Sequence, residues 1–269
     1  MIDIHLARQL ERAEGMANAS FVDARRALAP QAGAEWIEIA GALAMFDRPT
    51  SPLTQTFGVG IFSPFLAREF DEVEEFFTTR GAPTSHEVCS FAAHESTSLL
   101  GDRGYSPVEA SVVLVRDTSA VAATPRGGPT VRTIDEAEAS TWARISAEGW
   151  GSESPELTVF VENLGAVIAR ARGVTCFLAE RDGAPIAAAA LNIVNGVALL
   201  AGASTVPSAR RQGAQRALLE TRLAFAAEAG IELAMVVTQP GSASQRNAER
   251  QGFRPAYTRA KWQLESSGR

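Results

Sequence analysis

Residues 204–229 read STVPSARRQGAQRALLETRLAFAAEA, and this stretch decides the second half of the fold. An apolar strand passes one proline and a short arginine and glycine turn, and continues as an amphipathic helix that ends at Gly230. The first N–H groups of a helix lack partners within it, and the helix dipole adds positive potential there. Arg210, Arg211 and Arg216 add cationic charge, although the net charge is −6. The pattern predicts a phosphate or pyrophosphate site, and an ordinary solvated helix face is the alternative.

Composition places the chain among globular proteins of ordinary make-up. Its 269 residues favour two domains, and 46% are hydrophobic while 21% are charged. The acidic balance argues against nucleic acid or a membrane surface as partner, and no apolar run is long enough to span a bilayer. Because no secretory signal is recognisable, we expect a cytoplasmic protein. Cys89 and Cys176 are far apart in apolar runs, which predicts two buried thiols and no metal site.

A stretch rich in small residues, proline and glycine divides the chain. We expect a linker at 118–130, a first domain at 1–117 and a second domain at 131–269. The second domain begins with a strand and two helices, the first of them preceded by a capping box of Asp135 and Glu138.

Three strands then follow as an antiparallel meander. The hairpin signals Asp182-Gly183 and Asn195-Gly196 separate them. Beyond the quoted helix, the apolar run 231–238 predicts a strand parallel to the one that ends at Thr205. A short helix and a final strand near 254–264 complete an α/β fold of mostly antiparallel strands flanked by helices.

The first half contains a weaker copy of this order. Gly81 and Gly230 end corresponding helices, and Gly104 and Gly252 begin the related sequences GYSP and GFRP, each pair about 150 residues apart. No arginine and glycine turn follows the corresponding strand, which ends near Phe62. We therefore expect the first copy to have lost the anion site and to serve as scaffold or as part of the substrate wall.

With the strand, the turn and the C-terminal GF placed, the second half resembles the GNAT superfamily of acyl-CoA-dependent N-acyltransferases. The family turn has Gln or Arg, two residues, Gly, one residue, and Gly or Ala. Arg210 and Gly213 match it, whereas Gln215 stands where Gly or Ala is usual, so its side chain is expected to point outward. The resemblance covers about 130–264, and the repeated order looks like tandem members whose N-terminal copy is degenerate.

The resemblance implies acetyl-CoA as co-substrate. Backbone groups of Thr205 and Val206 would pair with the pantetheine arm, and the thioester would lie where the strands ending at Thr205 and Thr238 separate. N–H groups of the turn would cradle the pyrophosphate. The predicted cofactor-binding residues are Thr205, Val206, Arg210, Arg211, Gln212, Gly213, Ala214, Gln215, Arg216 and Asn247.

Catalysis requires polarisation of the thioester carbonyl and a proton for the leaving thiolate. A backbone N–H near Val206 can polarise the carbonyl. Family members often carry a Tyr as acid in the last helix, at the position of Ala248 here. Tyr257 is the remaining candidate acid in this half, and the alternative is an ordinary strand tyrosine.

The acceptor is expected to be the amine of a small molecule. Glu148, Trp150 and Glu153 are the candidate substrate-binding residues, and solvated loop charge is the alternative for the two glutamates. We expect an acetyl-CoA-dependent N-acetyltransferase, as monomer or homodimer. The alternative is a non-catalytic acyl-CoA-binding or sensing protein, because Ala248 leaves the usual acid absent.

Overall fold

The computed structural model describes residues 2–119, 128–150 and 155–264. The helices are α1 Ile4–Leu28, α2 Ala67–Thr78, α3 His94–Asp102, α4 Ala139–Trp150, α5 Pro155–Ile168, α6 Ala214–Glu228 and α7 Ala243–Arg250. The strands are β1 Glu35–Ile39, β2 Ala42–Phe46, β3 Gln55–Phe57, β4 Ser85–Cys89, β5 Tyr105–Asp117, β6 Thr130–Thr133, β7 Val174–Arg181, β8 Ala184–Val194, β9 Val197–Thr205, β10 Leu233–Thr238 and β11 Arg254–Leu264. Within the described ranges, no helix is long and apolar enough to cross a bilayer.

Contacts divide the chain into two compact units. Unit 1 combines residues 1–115 with 237–269, and unit 2 comprises residues 116–236. Helix α7 and strand β11 therefore belong to the same unit as residues 1–115. The predicted boundaries at 117 and 131, with a linker between them, stay a prediction.

The sheet of unit 1 has the order β1-β2-β3-β4-β11-β5, in which β3 and β4 are parallel and the other neighbours antiparallel. Alternate residues of β2 point to opposite faces of this sheet. Leu43 and Met45 pack in a cluster with Val22 of α1, whereas Ala44 and Phe46 pack in a cluster with the phenylalanines of α2. Helices α1 and α2 therefore cover opposite faces of this sheet.

The sheet of unit 2 has the order β6-β7-β8-β9-β10, antiparallel except for the β9–β10 pair. The two predicted hairpins are confirmed: Asp182 and Gly183 have φ of 51° and 77°, and Asn195 and Gly196 have 50° and 72°. Both turns need two residues at positive φ, which Asn, Asp and Gly tolerate best. Phe177 of β7 contacts Phe225 of α6.

The neighbours of Phe177 on β7, Cys176 and Leu178, pack with Trp142 of α4. Since successive residues of a strand face opposite sides, α4 and α6 cover opposite faces of this sheet. The α/β class with mostly antiparallel sheets flanked by helices is thus confirmed. Both cysteines are buried and free, as predicted.

The repeated order also appears in the structure. In each unit a helix joins two parallel strands, α2 between β3 and β4 and α6 between β9 and β10. The matched glycines share a left-handed backbone, with φ of 65° and 75° at Gly81 and Gly230 and of 85° and 83° at Gly104 and Gly252. Such a backbone is accessible mainly to glycine, which explains why these residues mark the repeat.

Candidate active site

The predicted anion site lies on one continuous segment of unit 2. Strand β9 ends at Thr205, a single 3-10 turn covers Pro207–Ala209, and α6 starts at Ala214. Between them, Arg211 and Gly213 both have left-handed backbones, with φ of 62° and 85°. Left-handed residues beside a helix start turn successive N–H groups toward one point, the geometry of an anion-binding nest. The turn therefore has two left-handed residues directly before a helix, a feature that it shares with anion-binding nests.

The predicted arginines have different environments. The Arg210 Nη2 donates to the Gly149 carbonyl at 3.1 Å, and this contact links the turn to the end of α4. Arg211 is exposed. Arg216 is 63% exposed and pairs with Glu220 on α6 at 2.7 Å. The structure thus brings all three cations to the turn or to the first turn of its helix, where their charge favours an anion.

The side chain of Gln215 is not directed outward, so that expectation is wrong. Its Nε2 donates to the Thr205 Oγ1 at 2.8 Å. The amide is long enough to reach back from the first turn of α6 to the end of β9, and a Gly or Ala at this position has no group that makes the bond. Gln215 therefore joins the two segments that are expected to bind the pyrophosphate and the pantetheine arm.

Gln212 is held by a residue that sequence reasoning missed. The two terminal nitrogens of Arg181, at the end of β7, donate to the Gln212 side-chain oxygen and, at 3.1 Å, to its backbone carbonyl. Gln212 in turn donates from Nε2 to the Ser208 carbonyl at 3.1 Å. The sequence places Arg181 beside a hairpin turn, but no local spacing relates it to a residue 31 positions later.

The end of α4 lies directly against the end of β9. Ser204 Oγ donates to the Ser146 carbonyl at 3.0 Å, and both residues are buried. A Cβ added to Gly149 would lie 2.6 Å from the Cβ and Oγ of Ser204 and 2.9 Å from the Thr205 nitrogen. Only glycine permits this approach.

The predicted acceptor residues follow at this end of α4. Trp150 is 52% exposed, a high value for a large aromatic side chain. Glu148 is exposed and 3.9 Å from Arg144, one helical turn away. Glu153 lies outside the described residues. Trp150 thus follows Gly149, which contacts β9. Glu148 is in solvent, as the alternative prediction of a solvated charge states.

The expected separation of β9 and β10 is present. Their parallel pairing ends at Leu199 with Met235, whereas β9 continues six residues further to Thr205. The N–H of Val206 donates to the Ile186 carbonyl of β8 at 3.0 Å, so it is not available to a thioester carbonyl. Because N–H directions alternate along a strand, the N–H of Thr205 points away from β8, toward the side on which β10 has separated.

A buried cation supports the irregular part of β9. The β8–β9 register shifts between Ala188 and Ala190, and Gly202 opposite the shift has φ of 61°. Arg222 of α6, 3% exposed, donates to the carbonyls of Ala190 and Ala201 at 2.9 and 3.2 Å. Burial lowers the pKa of Arg222 to about 9, so it stays cationic at neutral pH. The sequence pattern of α6 does not predict that Arg222 binds these carbonyls, because it favours a solvated arginine on the helix face.

Tyr257 and Asn247, the two remaining predicted site residues, belong to unit 1. Tyr257 is buried, and its hydroxyl donates to Glu11 Oε1 at 2.7 Å. Burial, together with the Glu11 carboxylate, raises the pKa of Tyr257 well above its ordinary value. Asn247 is exposed on α7 and accepts from Arg250 at 2.7 Å. Both contacts suit structural roles, and a catalytic role for Tyr257 stays a prediction. Among the described residues, no cluster of His, Cys, Asp and Glu can hold a metal ion.

Comparison with known proteins is consistent with this site. Residues 135–253, which contain the turn, match the model of the Acetyltransferase (GNAT) family. No curated protein matches the chain.

Solved structures share the fold over most of the chain. A GCN5-related N-acetyltransferase from Kribbella flavida superposes with a TM-score of 0.65 at 19% identity, over 91% of this chain and 96% of the other. A tandem GNAT protein from the clavulanic acid biosynthesis pathway superposes with a TM-score of 0.60 at 14% identity, over 84% and 79%. A GCN5-related N-acetyltransferase from Sphaerobacter thermophilus does so with 0.57 at 13%, over 87% and 76%. The tandem GNAT-like fold expected from the sequence is therefore confirmed.

Proposed function

We propose that the protein transfers an acetyl group from acetyl-CoA to the amine of a small molecule, on the premise that its residues 135–253 match the model of the Acetyltransferase (GNAT) family. The observation that carries the proposal is the nest between β9 and α6, with left-handed Arg211 and Gly213 and three arginines around it. Such a nest suits the pyrophosphate of CoA, because a helix start supplies N–H groups without partners and the arginines add positive charge at the turn.

The pantetheine arm would extend from this nest along β9. Beyond Leu199 the strand has no pairing with β10, so those backbone groups of the following residues that bond to neither β8 nor Arg222 can pair with an extended chain. Thr205 N–H is the best-oriented donor for the thioester carbonyl, and it replaces the N–H of Val206, which is bonded to Ile186. A fixed backbone donor polarises a carbonyl without any particular side chain.

The reaction is direct acyl transfer. The lone pair of the neutral amine attacks the thioester carbon, a C–N bond forms, and the C–S bond breaks. The amine loses one proton and the CoA thiolate gains one, so charge and atoms balance without an oxidant or a metal. The exposed indole of Trp150, the residue after Gly149, is the proposed wall for the acceptor.

A second candidate function is binding or sensing of acyl-CoA without catalysis. It is favoured by Ala248 at the usual position of the acid and by the raised pKa of Tyr257, which makes this hydroxyl a weak proton donor.

Calorimetry with acetyl-CoA tests the site, and G213E is the variant of choice. A glutamate at position 213 would be strained at this positive φ and would add a negative charge to the nest, so binding should be lost. G230E is the matched control, since Gly230 has φ of 75° and open space around it at the other end of α6. Equal binding by wild type and G213E, or none by wild type, contradicts the proposed site.

Thiol release in the presence of a broad amine panel separates the two functions. Steady turnover with any amine eliminates the sensor. Tight acetyl-CoA binding with no thiol release across the panel favours the sensor over the transferase.

A further inference from the structure

Arg181, at the end of β7, donates to both the side-chain oxygen and the backbone carbonyl of Gln212 in the predicted anion site. We propose that Arg181 is a positioning residue, which orients the Gly213 N–H toward the phosphate by holding the Gln212 carbonyl in the opposite direction. The inference rests on the proposed acetyl-CoA site.

Peptide geometry connects the two groups. The carbonyl of Gln212 and the N–H of Gly213 belong to one planar trans peptide, so they point in opposite directions. The structure has no cis peptide bonds among its described residues. When Arg181 Nη2 holds the Gln212 oxygen at 3.1 Å, it therefore also fixes the direction of the Gly213 N–H.

The peptide between Gln212 and Gly213 needs a contact that holds its orientation. Arg211 and Gly213, on either side of Gln212, both have left-handed backbones, and the Cβ of Arg211 disfavours this conformation. A free peptide flanked by two such residues has alternative orientations. A guanidinium that donates to both the amide side chain and the carbonyl of Gln212 selects one of them with two charge-assisted hydrogen bonds.

Arg181 is also well supported. It ends β7 at the rigid hairpin turn of Asp182 and Gly183, and pairs there with Ala184. Gln212, which it holds, is tied through its Nε2 to Ser208. A short chain of hydrogen bonds thus runs from the hairpin into the turn, so that the nest is preorganised before any ligand arrives.

Binding of acetyl-CoA and of acetyl-dephospho-CoA distinguishes this role from a direct contact with the 3′-phosphate of CoA. The R181M variant should weaken both ligands by the same factor, about tenfold, because the pyrophosphate is common to them. The KM for acetyl-CoA should rise while kcat at saturation stays unchanged. An R181M effect confined to acetyl-CoA, with acetyl-dephospho-CoA unaffected, overturns the proposal in favour of a 3′-phosphate contact.

Two further variants exclude a simple charge effect. R181K keeps the charge but cannot donate to both oxygens with a planar fork, so it should restore little of the lost affinity. Full restoration by R181K overturns the positioning role. R170M removes an arginine near the other end of β7 whose guanidinium donates to the Ala166 carbonyl at 3.0 Å, and this variant should bind like wild type. Wild-type binding of acetyl-CoA with unchanged binding by R181M refutes this inference alone, whereas no binding by wild type refutes the proposed function.

Discussion

Substitution of Gly149 by alanine tests the contact between α4 and β9. Gly149 is the second-last residue of α4 and has an ordinary helical backbone, so helix propensity alone predicts that alanine stabilises the helix by about 1 kcal/mol. The structure predicts the opposite. The new Cβ would lie 2.6 Å from the Ser204 Cβ and 2.9 Å from the backbone nitrogen of Thr205.

The expected magnitude follows from three effects. Carbon atoms prefer separations of about 3.5–4 Å, so α4 and β9 must move apart by roughly 1 Å. Overpacking of this kind costs about 1–3 kcal/mol. Loss of the buried Ser204 to Ser146 hydrogen bond, 3.0 Å long, costs about 1 kcal/mol more. After the gain in helix propensity is subtracted, the free energy of unfolding should fall by about 2 kcal/mol.

Urea denaturation followed by circular dichroism measures this change. G101A is the matched control, because Gly101 is the second-last residue of α3 and a Cβ there meets nothing within 4 Å. It should stabilise unit 1 by about 0.5–1 kcal/mol. A G149A protein stabilised as much as G101A refutes the reasoning. Because Thr205 is displaced, G149A should also bind acetyl-CoA more weakly.

Two other predictions concern the buried polar groups of unit 1. Y257F should lower the free energy of unfolding by about 1–3 kcal/mol, because the Tyr257 hydroxyl donates to the buried Glu11 at 2.7 Å. Turnover by the folded Y257F enzyme should persist. A large loss of kcat in fully folded Y257F supports the predicted catalytic acid instead. Burial raises the pKa of Glu87, which lies near Glu11, Glu14, Arg259 and Lys261, to about 7. Between about pH 4.5 and 7 the folded state therefore holds more protons than the unfolded state. The free energy of unfolding should fall as the pH rises through that window, by up to about 3 kcal/mol. Urea denaturation at pH 5 and pH 8 measures the fall, which should be smaller in E87Q; an equal fall in E87Q shows that Glu87 is not its source.

Local chemistry determined much of this fold in advance. Asp182-Gly183 and Asn195-Gly196 specify hairpins because both residues of each turn need positive φ. The capping box of Asp135 and Glu138 formed as predicted, since it depends on groups three residues apart. The turn before α6 was recognisable for the same reason, because arginine, glycine and a helix start are all neighbours in the chain.

Only tertiary structure decided which distant groups support that turn. Arg181 reaches Gln212 across 31 residues, and Gly149 meets Ser204 across the packing of α4 on β9. The sequence predicts Tyr257 as a candidate acid or an ordinary strand tyrosine. In the structure β11 lies between β4 and β5, and the Tyr257 hydroxyl donates to Glu11, 246 residues earlier. Periodicity and turn chemistry act over a few residues, so they predict elements and their ends. Which elements lie side by side, and therefore which cation, carboxylate or glycine becomes part of a site, depends on how the sheets and helices pack.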